Sequence, residues 1–200
     1  MTDADLRKIL ALIAHWEGRV PWPYLDNAES PNVTIGVGCL VATVDDLRAL
    51  PLRRYADDQV ATPSEIGAEF CRLRSILGGQ RAAAYRGGYY LAEPDIDELA
   101  REFLRGIVAA LPAVFPAFER LPNPAQACVC DLAWNVGVPG LRSWHRLREA
   151  LAASPPDWIA AADNCSTANP QHLAGRASRN AWRVSCMNAA AEGRPTPGVL

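Results

Sequence analysis

Lysine is nearly missing from this sequence: Lys8 is the only one among 20 Lys and Arg residues, which face 22 acids. With a net charge of −2, the chain lacks the cationic footprint of a nucleic-acid binder. Long hydrophobic runs are missing too, because Arg, Glu or Pro interrupts each apolar stretch before it reaches membrane-spanning length. The first residues, MTDADLRKIL, carry acids where a signal peptide carries bases, so they do not read as an export signal. Histidine is scarce, and His15, His145 and His172 lack metal-ligand spacing. The six cysteines, at 39, 71, 128, 130, 165 and 186, include no CxxC pair, which argues against a zinc site. Most of them read as small buried apolar side chains. A Cys165–Cys186 bridge between two C-terminal helices is open to the chain only outside the cytoplasm. Ser143, Ser166 and Ser178 sit in no nucleophile elbow, and Gly36-Val37-Gly38 is too short for a phosphate loop and lacks its lysine.

The remaining composition, half hydrophobic over 200 residues, is that of one soluble globular domain with a sizeable core. Residues 2–17 carry Leu6, Ile9, Leu10 and Ile13 at helical spacing behind a Thr2/Asp5 cap, and Gly18 ends the pattern. From Arg19 to Val41, turn residues alternate with short β-branched runs, which predicts a hairpin or small three-stranded sheet. Residues 42–61 read as loop. Thr62-Pro63-Ser64-Glu65 is a capping box with proline at the first helical position, opening a helix that Gly78-Gly79 should stop.

A longer helix is expected from Pro94, burying Ile96, Leu99, Phe103, Ile107 and Leu111. The stretch PAQACVCDLAWNVG is apolar on nearly every face and belongs at the centre of a lobe. Helices at about 140–153, 155–164 and 176–191 follow, with a mobile tail over 192–200. The expected class is α+β: a helix-plus-β lobe over about 1–61, a helical lobe over about 62–191, and a cleft between them.

Two carboxylates stand out. Glu17 ends an apolar helix beside Trp16, where partial dehydration favours its protonated form. Asp26, nine residues on and beside Asn27 in the hairpin, is expected to be hydrated and ionised. A pair divided this way is what inverting glycoside hydrolysis requires, an acid for the leaving oxygen and a base for water. Thr34 adds a hydroxyl that could hold that water. On spacing alone, a structural ion pair or two solvated acids among 22 are the commoner explanation of such a pair. Tyr24, Trp22 and Trp16 offer ring faces to a sugar or to a small core; packing is expected for Trp16.

Glu17-Gly18, Tyr24-Leu25-Asp26 and Thr34-Ile35-Gly36-Val37-Gly38 resemble the N-terminal signature of the bacteriophage-type lysozymes, the T-even endolysin family. The resemblance continues at Ala92–Leu104, Gln126–Gly137, Trp158–Ala162 and Arg179-Asn180, and is poor over 42–91. It implies a lysozyme-like fold and a muramidase cutting the β-1,4 bond between N-acetylmuramic acid and N-acetylglucosamine in peptidoglycan. Glu17 would be the general acid, Asp26 the group activating water and Thr34 its positioning partner. Asn135 would face the saccharide cleft, Tyr24 would contact sugar, and Arg179, with Arg176 as second candidate, would lie near Glu17.

No cofactor is implied. The partners implied are peptidoglycan glycan strands, with no nucleic acid and no membrane span. Cys39 stands where many relatives have histidine, and the chain is slightly acidic where many endolysins are basic, so Arg patches at 142–148 or 176–183 would have to supply attraction to the wall. The extra helix at 63–77 resembles lysozyme-type domains of secreted antibacterial toxins. Such a toxin would act in the periplasm or on target cells and be restrained by an immunity protein. The alternatives are a lytic transglycosylase, which needs no water-activating carboxylate, and a glycan- or partner-binding module without turnover.

Overall fold

The computed structural model describes residues 1–26, 31–76, 80–167 and 173–198, the last segment with side chains from Ser178 onward. Asn27, Ser30, Leu77, the Gly78-Gly79 stop, His172 and the Arg176 side chain lie outside the described residues. The chain is mixed α and β, a small antiparallel sheet with a larger helical part. It divides into two compact units, residues 17–102 and residues 1–16 with 103–200. The helix opened by the Thr62 capping box therefore lies in the same unit as the sheet.

In the unit of residues 17–102, β1 (Val20–Leu25), β2 (Val33–Gly36) and β3 (Cys39–Val41) form a sheet in that order. Pro21 and Pro23 fit β1 because it is an edge strand, where a missing N–H costs no ladder bond. The register pairs Leu25 with Val33, Val33 with Val41 and Ile35 with Cys39, so five buried side chains share one face. Tyr24, Thr34 and Leu40 line the opposite face. Gly36 adopts φ +69, and a Cβ there would come within 3.3 Å of the Ile96 side chain. Close approach of helix to strand is thus what requires glycine at this position.

The stretch read as loop over 42–61 holds α2 (Val44–Arg48), capped by a Thr43/Asp46 box, and β4 (Arg53–Arg54), which pairs with β5 (Tyr89–Tyr90). The Thr62/Glu65 box starts α3 (Pro63–Arg74) as expected. Glu69, 4% exposed, is held by two bonds from Arg72, which also donates to the Tyr85 carbonyl. The next helix, α4 (Glu93–Ala110), buries Ile96, Ala100, Leu104 and Ile107, while Leu99 and Phe103 are half-buried.

The other unit is helical. It contains α1 (Asp3–Glu17) up to Trp16, the end of α4, α5 (Asn123–Gly140), α6 (His145–Ala152), α7 (Trp158–Asp163) and α8 (Leu173–Ala191). Every residue of α5 from Pro124 to Trp134 is buried, which makes it the central helix of this unit. Its helical geometry breaks at Gly137, φ 74, where a left-handed residue stops the ladder. The tail is tied down in part, because the Trp182 indole donates to the Pro197 carbonyl.

A buried ion cluster interrupts this core. Asp131, 1% exposed, accepts bonds from Arg179 Nε and Nη2, the latter at 2.7 Å, and from Arg183 Nε at 2.6 Å. Arg183 is itself 0% exposed and reaches Thr167 and Asn180 with Nη1. Removing one partner of a buried ion cluster strands the rest without solvent. Asp131→Asn should therefore lower the unfolding free energy by about 3–5 kcal/mol, measured by urea denaturation. A loss below about 1 kcal/mol, the range of an exposed pair, would show that the cluster does not hold α5 to α8.

Candidate active site

Glu17 is the last residue of α1 and the first residue of the β-containing unit. Gly18 at φ +73 turns the chain directly into β1, the left-handed stop expected after a helix. The Glu17 side chain is half-buried.

Asp26 follows β1 and is also half-buried. Asn32, which the sequence alone did not single out, is a partner of Asp26. Asn32 N donates to Asp26 Oδ1 at 2.9 Å, and Asn32 Nδ2 donates to Oδ2 at 3.1 Å. Asp26 N returns a bond to the Asn32 carbonyl at 3.0 Å. The carboxylate is thus fixed at both oxygens by one residue across the hairpin. It is more restrained than its place in the hairpin beside Asn27 led one to expect. Arg74 of α3 donates to the Pro31 carbonyl at 3.0 Å and braces the same turn.

Thr34 is 5% exposed, and its hydroxyl donates to the Asn32 carbonyl at 3.3 Å. Asn32 therefore touches both Asp26 and Thr34. The Thr34 hydroxyl spends its proton there, which leaves the oxygen lone pairs as acceptors.

Tyr24 is directly opposite Thr34 in the register, so the two side chains lie on one face of the sheet. Asp26, two residues after Tyr24 along the strand direction, follows the same alternation. The Tyr24 phenol is pushed up to about 12, first by burial and then by the charges of Glu17, Cys39 and Asp26. Burial also pushes the Cys39 thiol up to about 12, with the Glu17 charge adding to it, so a neutral thiol occupies this position.

Asn135, Arg179 and the Arg142–Arg148 patch belong to the helical unit. Asn135 is exposed on α5, two residues before the Gly137 break. Arg179 is 7% exposed and bound to Asp131. Of the Arg142–Arg148 patch, Arg148 is engaged on the carbonyls of Val114 and Arg142. Trp134 packs edge-on against Phe103 with centroids 5.0 Å apart. Trp22 donates its indole N–H to the Ala82 carbonyl, with the Arg86 guanidinium 5.1 Å from its ring. Among the described residues no group of three or more His, Cys, Asp or Glu side chains is placed to hold a metal ion.

Raising a phenol from its ordinary value of about 10 makes the folded state hold its proton more tightly than the unfolded state. The Tyr24 contribution to stability is complete below pH 10 and disappears as pH rises towards about 12. Ultraviolet difference titration of wild type against Tyr24→Phe should assign this residue a midpoint near 12; a midpoint near 10 would remove both burial and the two carboxylates from its surroundings.

Compared with known proteins, the chain matches no family model, and no curated protein is significantly similar to it.

Proposed function

We propose that this protein is a peptidoglycan muramidase with a lysozyme-like fold, cleaving the β-1,4 bond between N-acetylmuramic acid and N-acetylglucosamine with inversion. The observation that carries the reading is Asn32, which binds both Asp26 oxygens and accepts a bond from the Thr34 hydroxyl, with Glu17 at the α1–β1 junction of the same unit. An acid, a base and a hydroxyl are thereby grouped within one compact unit. This grouping matches the roles that the resemblance to bacteriophage-type lysozymes assigns.

In this mechanism Glu17 gives its proton to the glycosidic oxygen as the bond to the anomeric carbon breaks. Asp26 removes a proton from a water that attacks the opposite face of the same carbon. The Asn32 bonds keep the base from swinging towards the acid, which preserves the space that water occupies. Thr34 accepts a hydrogen bond from that water and aligns it. Neither step needs a cofactor. In this reading Tyr24 contacts the glycan strand. Delivery to target cells, or release on lysis, brings the enzyme to the wall.

Purified sacculi digested by the wild type should release muropeptides with reducing muramic acid ends, resolved by mass spectrometry. Glu17→Gln should lower turnover by roughly 10²–10⁴-fold, as expected for loss of a general acid, with the circular dichroism spectrum unchanged. Asp26→Asn should act comparably and Thr34→Ala more weakly. Near-normal turnover in Glu17→Gln would overturn the assignment, and anhydro ends would mean a transglycosylase that has no use for Asp26.

A second test concerns Asn32 alone. Asn32→Ala removes the Nδ2 bond to the Asp26 carboxylate and keeps the backbone N–H bond to it, so kcat should fall several-fold with KM little changed. An unaltered kcat would show that the clamp does not position the base.

A further inference from the structure

The strand that leads to Asp26 also carries Trp22, and planar side chains gather there around one guanidinium. Arg86 lies over the Tyr55 ring, 4.6 Å from its centroid, and over the Trp22 ring at 5.1 Å, both within cation–π range. Tyr55 stacks in turn on Tyr90, with centroids 4.7 Å apart and ring planes 27° from parallel. Two of the rings are anchored by their polar ends. The Trp22 indole donates to the Ala82 carbonyl at 2.9 Å, and the Tyr90 hydroxyl donates to Asp58. The backbone around Arg86 is held as well. The Tyr85 carbonyl accepts from Arg72, a Cβ at Gly87 would collide with the Glu69 carboxylate, and the Gly88 carbonyl accepts from Tyr55 N. All of these residues belong to the unit of residues 17–102.

Among the described residues, no carboxylate or carbonyl accepts a bond from the Arg86 guanidinium, and the residue is exposed. The acids that approach this group are committed elsewhere, Asp58 to Tyr90 and Arg53 and Glu69 to Arg72. Two aromatic faces hold the guanidinium plane, so its forked edge meets a ligand with little rotamer freedom left to lose. A carboxylate fits that fork through two parallel N–H···O bonds. We propose that Arg86, with Trp22 and Tyr55, binds a carboxylate of the peptide stem that peptidoglycan carries. The inference rests on the muramidase reading, which supplies the glycan strand. Trp22 precedes Asp26 by four residues, at most about 13 Å along an extended strand. A stem of four residues spans up to about 14 Å, so a strand cut at Asp26 brings its stem carboxylates within reach of Arg86. The rings beneath the guanidinium give the methyl and methylene groups of the stem an apolar surface.

The full chain, isotope-labelled for nitrogen NMR, is titrated with the free stem tetrapeptide L-Ala-γ-D-Glu-meso-diaminopimelyl-D-Ala. Saturable shifts of the Trp22 indole and Arg86 Nε–H signals are expected. Arg86→Gln, an exposed change whose remaining spectrum should match the wild type, should weaken binding by about tenfold or more. The same peptide with its carboxylates amidated should bind the wild type as poorly. On sacculi, Arg86→Gln should raise KM several-fold with kcat little changed, and on glycan strands stripped of peptide it should change neither. Absence of saturable tetrapeptide binding, or binding unaltered in Arg86→Gln, would overturn the proposal. Equally tight binding of an all-L acidic peptide of the same charge would also overturn it, in favour of an acidic protein partner. Tetrapeptide binding by a wild-type chain that leaves sacculi uncut would support the stem site and overturn only the muramidase reading.

Discussion

The helical unit depends on a single buried carboxylate. Asp131 lies in the one helix whose residues are buried all round, and a charge there is tolerable only with partners that reach it inside the core. Arg179 and Arg183 are one turn apart on α8 and present their guanidiniums to the same carboxylate. Apolar packing of Ala, Val and Leu surfaces allows helices to slide and rotate at modest cost. A carboxylate read by two guanidiniums does not, so the cluster fixes both the depth and the rotation of α8 against α5. The second consequence is electrostatic. Two guanidiniums against one carboxylate leave a positive excess in the core, and Thr167 and Asn180 turn their oxygens towards Arg183 to meet it. The thiols of Cys128 and Cys165 lie in that same field.

The β-containing unit is organised by backbone constraints. The φ of Gly36, the turn at Gly18 and the Asn32 clamp are all set by where the chain must pass. The result is a sheet with one wholly apolar face and one face that carries Tyr24 and Thr34. The carboxylates therefore inherit their placement from strand alternation and a helix terminus, elements that move little, and not from long flexible loops.

Much of this was legible in the sequence, and the reasons differ by element. The helices at 3–17, 63–74 and 93–110 announce themselves through apolar periodicity and caps, and the hairpin through its turn residues. The short helix at Val44–Arg48 was not legible: five residues make too few turns for a period, although Thr43 and Asp46 form its cap. The pairing of Arg53-Arg54 with Tyr89-Tyr90 joins segments far apart in the chain, and two-residue strands carry no alternation. In the site, residue types pointed to Glu17, Asp26 and Thr34, but nothing in the order of letters revealed Asn32, whose role exists only once the hairpin closes. Asp131 was hidden for the opposite reason, as one acid inside an otherwise apolar helix.

The Asn32 clamp also separates the length of the hairpin tip from the geometry at its base. Because Asp26 and Asn32 close the turn upon themselves, residues added between them enlarge a loop whose ends are already joined. The entropy of such a loop grows only with the logarithm of its length, about 0.6 kcal/mol per doubling. The tip is therefore free to diversify in size and chemistry while the base stays still.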